Sequence, residues 1–222
     1  MERGVRALIV LAWLSGCGGA VAPAVRPALG PPGLELADHV ALGMVDGPPT
    51  AAVTVVEAFD LMCAHCRQLQ PALDELVREY AGKLQVVYAL FVIHPESSTE
   101  ANLGVCAAAA QGKFRAFTDA AMAELDREAP SAEELLQRLA AGAPVGELDV
   151  TGVARRVGLD LPAFDAERAA PRCRALLERD RAALDKLGLD HVPTFYVDGK
   201  VVDARTKQEL RAAIDARLAA PR

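Results

Sequence analysis

Cys63 and Cys66 are separated by two residues and stand where a strand-like segment meets a helix-like one. A cysteine at a helix N-terminus faces unpaired backbone N–H groups and the positive end of the helix dipole, and both stabilise a thiolate. The thiolate is the reactive species, so a lowered pKa raises the reactive fraction at neutral pH. A second thiol one helical turn later can attack a mixed disulfide formed by the first. This spacing predicts thiol–disulfide exchange, with Cys63 as the nucleophile and Cys66 as the resolving thiol.

His65 lies between the two cysteines, and a protonated imidazole beside Cys63 would favour the reduced form of the pair, which is the property of an oxidant. The alternatives are an exposed histidine of no consequence and a purely structural cysteine pair. Metal binding is a further alternative, because four soft side chains suited to Cu(I) are close in sequence: Met62, Cys63, His65 and Cys66. Structural zinc needs four ligands, and the chain has no second Cys-x-x-Cys. We therefore predict no metal and no cofactor.

The segments on either side of the pair predict the framework that positions it. Residues 53–59 are rich in β-branched side chains and indicate a buried strand. Apolar residues then recur at helical spacing up to Gly82, and residues 84–92 form a second apolar run. A strand–helix–strand order with a long crossover predicts a parallel pair with a right-handed connection.

The second half of the chain predicts helices first and a hairpin afterwards. Residues 99–187 are alanine-rich and divide into about five helices at Gly and Pro positions: Gly112, Pro130, 142–144, Gly158 and Pro162. Asp198-Gly199 between two short apolar runs is typical of a hairpin turn. Residues 206–219 follow as an amphipathic helix. The predicted fold class is α/β, a βαβ half and a ββα half separated by a helical insert.

The N-terminal residues have the layout of an export signal. Residues 1–16 carry a basic start and a short apolar run, which is too short for a transmembrane helix. Leu14-Ser15-Gly16-Cys17 resembles the bacterial lipoprotein box, which implies cleavage before Cys17 and its acylation. Ordinary secretion with cleavage after Ala20 or Ala22 is the alternative. Residues 17–33 are rich in Gly, Ala, Val and Pro and predict a tether between a membrane and the domain.

The overall charge and the absent motifs exclude two modes of binding. The formal net charge is −6, and the chain has neither a long basic block nor a glycine-rich phosphate-binding pattern. We therefore predict no nucleic-acid partner and no membrane binding through a polybasic patch.

The stretch 57–66 resembles the active-site strand and turn of the DsbA-like disulfide oxidoreductases. The resemblance extends from about residue 40 to 218 and includes four shorter motifs: Ile93-His94-Pro95, Gln111-Gly112-Lys113-Phe114, Val192-Pro193-Thr194 and Asp198-Gly199. It implies a thioredoxin-like fold with an inserted helical domain. The implied divisions are residues 34–98 and 188–222 for the two thioredoxin-like halves and 99–187 for the insert.

The resemblance also implies roles for residues outside the cysteine pair. Pro193 matches the family's cis-proline, which lies beside the redox pair, although by itself it is also consistent with a strand-start proline. The adjacent Val192 and Thr194 are assigned to substrate binding. Glu57 matches a buried acid that exchanges a proton with Cys66. The alternative for Glu57 is a solvent-facing residue at a strand edge.

The sequence departs from the best-known members of this family at two positions. Ala64 stands where proline is usual, and Ala58 stands where an aromatic residue is common. Ala64 leaves the backbone of the turn less rigid. The redox potential therefore does not follow from the resemblance.

The remaining cysteines and histidines have secondary assignments. Some members of the family bridge the helical insert, which implies a disulfide between Cys106 and Cys173; two buried thiols are the alternative. His191 is close in sequence to Pro193 and is a candidate for tuning Cys63, or a plain loop histidine. His39 and His94 are expected to be structural or exposed.

The resulting hypothesis is an enzyme that oxidises thiols of exported proteins. It would act as a monomer on the periplasmic face of a bacterial membrane, held by lipid at Cys17 and served by a membrane redox partner. The outer membrane is preferred because Gly18 follows the cysteine where an inner-membrane retention signal has Asp. The alternatives are a reductase or isomerase of the same fold and a lipid-anchored copper-binding chaperone.

Overall fold

A computed structural model describes residues 30–127, 131–141 and 148–220 of the chain. Its elements in chain order are α1 (Leu36–Ala41), β1 (Val45–Asp46), β2 (Val53–Phe59), α2 (Ala64–Glu79), β3 (Leu84–Leu90), α3 (Pro95–Ala110), α4 (Phe114–Arg127), α5 (Ala132–Ala140), α6 (Val150–Arg156), α7 (Leu161–Ala169), α8 (Pro171–Asp185), β4 (Thr194–Val197), β5 (Lys200–Val202) and α9 (Lys207–Ala219).

The five strands form one mixed sheet with the order β1-β3-β2-β4-β5. β2 and β3 are parallel, and every residue of both strands is buried. A strand covered on both faces accepts a continuous run of branched apolar residues. The sheet therefore confirms the predicted parallel pair and α/β fold class.

The predicted hairpin and terminal helix are also confirmed. β4 pairs antiparallel with β2 and with β5, and the turn residues Asp198 and Gly199 both have positive φ. This conformation matches the twist of the strands and explains the Asp-Gly sequence. α9 begins after Thr206, whose side chain forms a capping box with Glu209.

Two elements near the N-terminus were not predicted. α1 packs on β3, and β1 pairs antiparallel with β3 through Val45 and Asp46. Both elements are short, so they carry little periodic signal of their own.

The helices between β3 and β4 differ in number from the prediction. The described residues contain six helices there, α3 to α8, rather than about five. The additional break falls at Ala170, since Pro171 takes the first helical position of α8, where its missing N–H costs nothing. α3 begins at Pro95, earlier than the predicted 99. Cys106 in α3 and Cys173 in α8 are joined by a disulfide with an S–S distance of 2.08 Å.

Several predictions fall outside the described residues. The signal peptide 1–16, Cys17, most of the tether 17–33 and the breaks at Pro130 and 142–144 all lie there. Within the described ranges, no helix is both long and apolar enough to cross a membrane.

Candidate active site

The cysteine pair lies where β2 leads into α2. Cys63 is the N-cap residue of α2, with an extended backbone, and Cys66 lies in the first turn of the helix. Cys63 is partly exposed and Cys66 is fully buried, and both are free thiols. The amphipathic α2 buries Leu69, Leu73 and Leu76 on the same face, so the helix presents Cys63 to the surface and Cys66 to the core.

The segment before β4 lies against the reactive thiol. The Sγ of Cys63 is 3.5 Å from the backbone oxygen of Val192. The Val192–Pro193 peptide bond is cis. Thr194, which is buried, pairs with Ala58 across the sheet and donates its hydroxyl to the His191 carbonyl at 3.0 Å. The structure thus places the Val192–Pro193 peptide beside Cys63, and Thr194 follows it at the start of β4.

The two thiols have opposite electrostatic environments. A hydrogen bond from the Cys66 thiol, together with the backbone N–H groups of His65 and Cys66, lowers the pKa of Cys63 to about 6, although partial burial opposes this. Burial raises the pKa of Cys66 well above its usual range, and its contact with Cys63 and the nearby carboxyl group of Glu57 raise it further. Cys63 is therefore the thiolate at neutral pH and Cys66 the neutral thiol.

Glu57 occupies the centre of β2 beneath the pair. It is fully buried, and neither carboxyl oxygen has a hydrogen-bond partner within the described residues. Burial raises its pKa well above the usual range, the nearby charge of Cys63 adds to this, and Arg115 and the Cys66 thiol oppose it. A neutral carboxylic acid beside a buried thiol is suited to proton exchange with it.

A cluster of four polar side chains lies close to Glu57, of which Tyr88 and Gln70 are buried and Asp46 and Arg115 are partly exposed. Tyr88 lies opposite Glu57 in the register of β2 and β3, and its hydroxyl donates to Asp46 at 2.6 Å and accepts from Gln70 at 2.8 Å. Arg115 of α4 lies 3.6 Å from Asp46. Sequence reasoning did not identify this cluster, because its members come from four separate elements.

The turn that carries Cys63 contains further residues that sequence reasoning missed. Asp60 is buried and accepts hydrogen bonds from the backbone of Met62 and from the side chain of Asn102 in α3. Arg67 of α2 donates to the Met62 carbonyl at 2.9 Å and to Asp126 of α4 at 3.0 Å. Asp60 directly follows the predicted strand, and only this position in the sequence could have indicated a role for it at the site.

The four histidines lie in different environments. His65 is exposed, and its backbone N–H is the part that acts on Cys63. The ring of His191 contacts Asp190 at 2.7 Å and Asp203 at 3.3 Å. His39 is buried against Asp180, which makes it structural, and His94 is exposed. In the described part of the chain, no three His, Cys, Asp or Glu side chains are grouped so as to hold a metal ion.

Solved structures with this architecture include oxidoreductases. A thioredoxin-like oxidoreductase from Silicibacter pomeroyi DSS-3 is 30% identical, with a TM-score of 0.64, over 79% of this chain and 92% of that one. The thiol–disulfide exchange protein alpha-DsbA2 from Wolbachia pipientis is 16% identical, with a TM-score of 0.61, over 82% and 98% of the two chains. At 16% identity the second likeness concerns the fold alone.

Curated relatives match over only part of their length. The Na⁺/H⁺ antiporter NhaA 3 from Salinispora tropica is 32% identical over 158 residues, which is 70% of this chain and 22% of that protein. The chain thus spans less than a quarter of that relative. The antiport activity in the relative's name belongs to that whole protein.

A family model described as Thioredoxin matches residues 40–216. This range contains β1 to β5, the cysteine pair and the Val192–Pro193 bond. The match and the structural neighbours confirm the thioredoxin-like fold, and the neighbour at 30% identity is a thioredoxin-like oxidoreductase. Since the model covers most of the chain, the protein belongs to the thioredoxin family.

Proposed function

We propose that the protein is a thiol–disulfide oxidoreductase that oxidises thiols of exported proteins through Cys63 and Cys66. The observation that carries the proposal is the contrast between the two thiols. Cys63 is accessible and has a pKa of about 6, whereas Cys66 is buried and has a raised pKa. An accessible leaving group with a low pKa and a buried resolving thiol are what disulfide exchange requires.

The exchange proceeds in two displacements. A substrate thiolate attacks the sulfur of Cys63, the Cys63–Cys66 bond breaks, and Cys66 leaves as a thiolate that takes a proton from Glu57. A second substrate thiolate then attacks the substrate sulfur of the mixed disulfide, and Cys63 leaves as a thiolate. The substrate dithiol is oxidised by two electrons, the enzyme disulfide is reduced, and Glu57 regains its proton from solvent.

The stability of the Cys63 thiolate supports oxidation as the net direction. The thiolate exists only in the reduced enzyme, so its stabilisation favours reduction of the enzyme and oxidation of the substrate. The cause within the fold is the Cys66 thiol and the N–H groups at the start of α2. We propose that Val192 and Thr194 bind the substrate backbone beside Cys63, and that the His65 imidazole assists at the exposed side of the pair.

The proposed location follows from the N-terminal sequence. An export signal at 1–16, an acylated Cys17 and the tether 17–33 would hold the enzyme at the periplasmic face of a membrane, with the outer membrane preferred. A membrane redox partner would re-oxidise the pair there. The enzyme acts as a monomer in this proposal.

The reduction potential of the Cys63–Cys66 pair tests the proposal. The protein is equilibrated with glutathione buffers, quenched with an alkylating reagent and read by mass, with Cys63→Ser as the control that cannot form the disulfide. We expect a value near the oxidising end of the thioredoxin-fold range, about −120 mV, and alkylation of Cys63 with a midpoint near pH 6. A value near about −270 mV would favour the reductase alternative. The absence of any reversible couple would contradict disulfide exchange.

A further inference from the structure

We propose that Asp60, together with Asn102 of α3, is a positioning residue that sets the geometry of the Cys63 turn and limits the oxidising strength of the pair. The inference rests on the proposed function, because it concerns the equilibrium of the same disulfide. It assigns a role to a buried carboxylate that the exchange steps themselves do not use.

Two of the three hydrogen bonds of the turn depend on these two side chains, and the third goes to the backbone carbonyl of Asp60. The three N–H groups that precede α2 all reach Asp60 or Asn102. Leu61 donates to Asn102 Oδ1 at 3.2 Å, Met62 donates to Asp60 Oδ1 at 3.0 Å, and Cys63 donates to the Asp60 carbonyl at 3.0 Å. Asn102 also donates to Asp60 Oδ1 at 2.8 Å and to the Ser98 carbonyl at 2.9 Å. The position of Cys63 at the helix N-terminus is therefore held from α3.

The environment of Asp60 suits a buried anion. Asp60 is 1% exposed, and a buried carboxylate is costly unless donors surround it. Met62, Asn102 and Ile93 supply three donors, the last at 3.3 Å, and all three contacts are of the kind a carboxylate accepts. Among the described residues no Lys, Arg or His forms an ion pair with Asp60. Its charge is thus held in place without a counter-ion in contact.

A fixed negative charge three residues before Cys63 opposes the thiolate. Asp60 acts against the lowering of the Cys63 pKa that Cys66 and the backbone N–H groups cause. Since the thiolate belongs to the reduced enzyme, this charge favours the disulfide form. Asp60 therefore makes the pair a weaker oxidant than the same turn without the charge.

Asp60→Asn tests the role of the charge. The variant retains an oxygen in place of Oδ1, which accepts from Met62 and Asn102, and loses only the contact with Ile93. We expect the pKa of Cys63, read from thiolate absorbance, to fall by about half to one unit. The equilibrium with glutathione should shift about three- to tenfold toward the reduced enzyme, or about 15–30 mV. Glu57, His65 and Cys66, the other ionisable residues beside Cys63, are unchanged.

Asp180→Asn is the matched control. Asp180 is also 1% exposed and accepts from a backbone N–H, that of Leu90, and from a side chain, that of His39. It contacts neither cysteine of the pair. We expect Asp180→Asn to lower stability and to leave the equilibrium with glutathione at the wild-type value.

Asn102→Ala tests the role in positioning. This variant retains the charge of Asp60 and releases the N–H of Leu61 and one donor to Asp60. We expect the pKa of Cys63 to rise, opposite in sign to the change in Asp60→Asn, because the N–H groups at the start of α2 are less well held. If Asp60→Asn fails to fold, Asp60→Ser takes its place, since serine also accepts from the N–H two residues on and carries no charge.

The outcomes separate this inference from the proposed function. A wild-type protein without a reversible couple overturns the proposed function and the inference with it. A wild-type couple that Asp60→Asn leaves unchanged, or shifts toward the oxidised enzyme, overturns only the role of the Asp60 charge. An unchanged Cys63 pKa in Asn102→Ala overturns the role in positioning.

Discussion

The three titratable residues of the site differ in exposure, and the favoured ionisation state of each follows from it. Cys63 meets solvent and backbone N–H groups, so its ionised form is favoured. Cys66 and Glu57 are buried side by side, so their neutral forms are favoured. A proton can therefore pass between two groups that both avoid charge, while the nucleophile stays ionised.

The burial of Glu57 predicts a pH-dependent cost to stability. Because its folded pKa is raised, the unfolded state ionises first as the pH rises above about 4.3, and the folded state retains the proton. Wild type should then lose up to about 1.4 kcal/mol of unfolding free energy per pH unit relative to Glu57→Gln, up to the folded pKa. Urea unfolding of the oxidised proteins at pH 5 and pH 8 measures this, since neither Cys63 nor Cys66 titrates in the disulfide. Parallel pH profiles for the two proteins would contradict it.

α3 is the element on which the helical part of the molecule is built. It contacts α4, α6, α7 and α8, and most of its residues are buried. It also carries Asn102, which holds the active-site turn, and Cys106, which is bonded to α8. Close packing on several sides at once restricts side-chain volume along this helix.

Gly104 shows how tight this packing is. A Cβ added there would lie 2.7 Å from Val150 Cγ1 and 3.1 Å from Phe117 Cζ. We expect Gly104→Ala to lower the unfolding free energy by about 1–2 kcal/mol, because overpacking outweighs the better helix propensity of alanine.

The double variant Gly104→Ala/Val150→Ala provides the control. Removing the valine methyl groups creates room for the new Cβ. In denaturant unfolding, the double variant should therefore lose less unfolding free energy than the sum of the losses in Gly104→Ala and Val150→Ala. Additive losses would show that the contact with Val150 is not the cause.

At the scale of the whole molecule, long-range polar contacts join helices to each other and to the sheet, and one covalent bond joins two helices. His39 of α1 contacts Asp180 of α8 at 2.8 Å, and the same carboxylate accepts from Leu90 of β3 at 2.8 Å. The Cys106–Cys173 disulfide closes a sequence separation of 67 residues between α3 and α8. These contacts connect segments that the chain alone would leave independent.

The disulfide should contribute to stability through the length of chain that it closes. We expect the double variant Cys106→Ala/Cys173→Ala to lose about 2–5 kcal/mol of unfolding free energy. The control is a Cys63→Ser/Cys66→Ser protein, in which a reductant acts on the Cys106–Cys173 bond alone and should cause a similar loss. Free thiols at both positions in non-reducing alkylation and mass mapping would contradict the bond.

The sequence alone was sufficient for the features that depend on neighbouring residues. The β-branched run of β2, the helical spacing of α2, the Asp-Gly turn between β4 and β5 and the position of the cysteine pair all follow from local periodicity and turn chemistry. The motif at 57–66 and Pro193 indicated the family that the chain resembles. These features define the fold class and the reacting atoms.

Only the tertiary structure decided how the reacting atoms are tuned. Asp60 and Asn102 are 42 residues apart in the chain, as are Asp46 and Tyr88, and no local pattern connects them. The burial of Glu57 depends on coverage of both faces of the sheet, and the low pKa of Cys63 depends on where the Cys66 thiol points. Short elements such as α1 and β1 form because β3 offers them a surface. Electrostatics and burial are sums over contacts in space, so they exist only once distant segments have packed together.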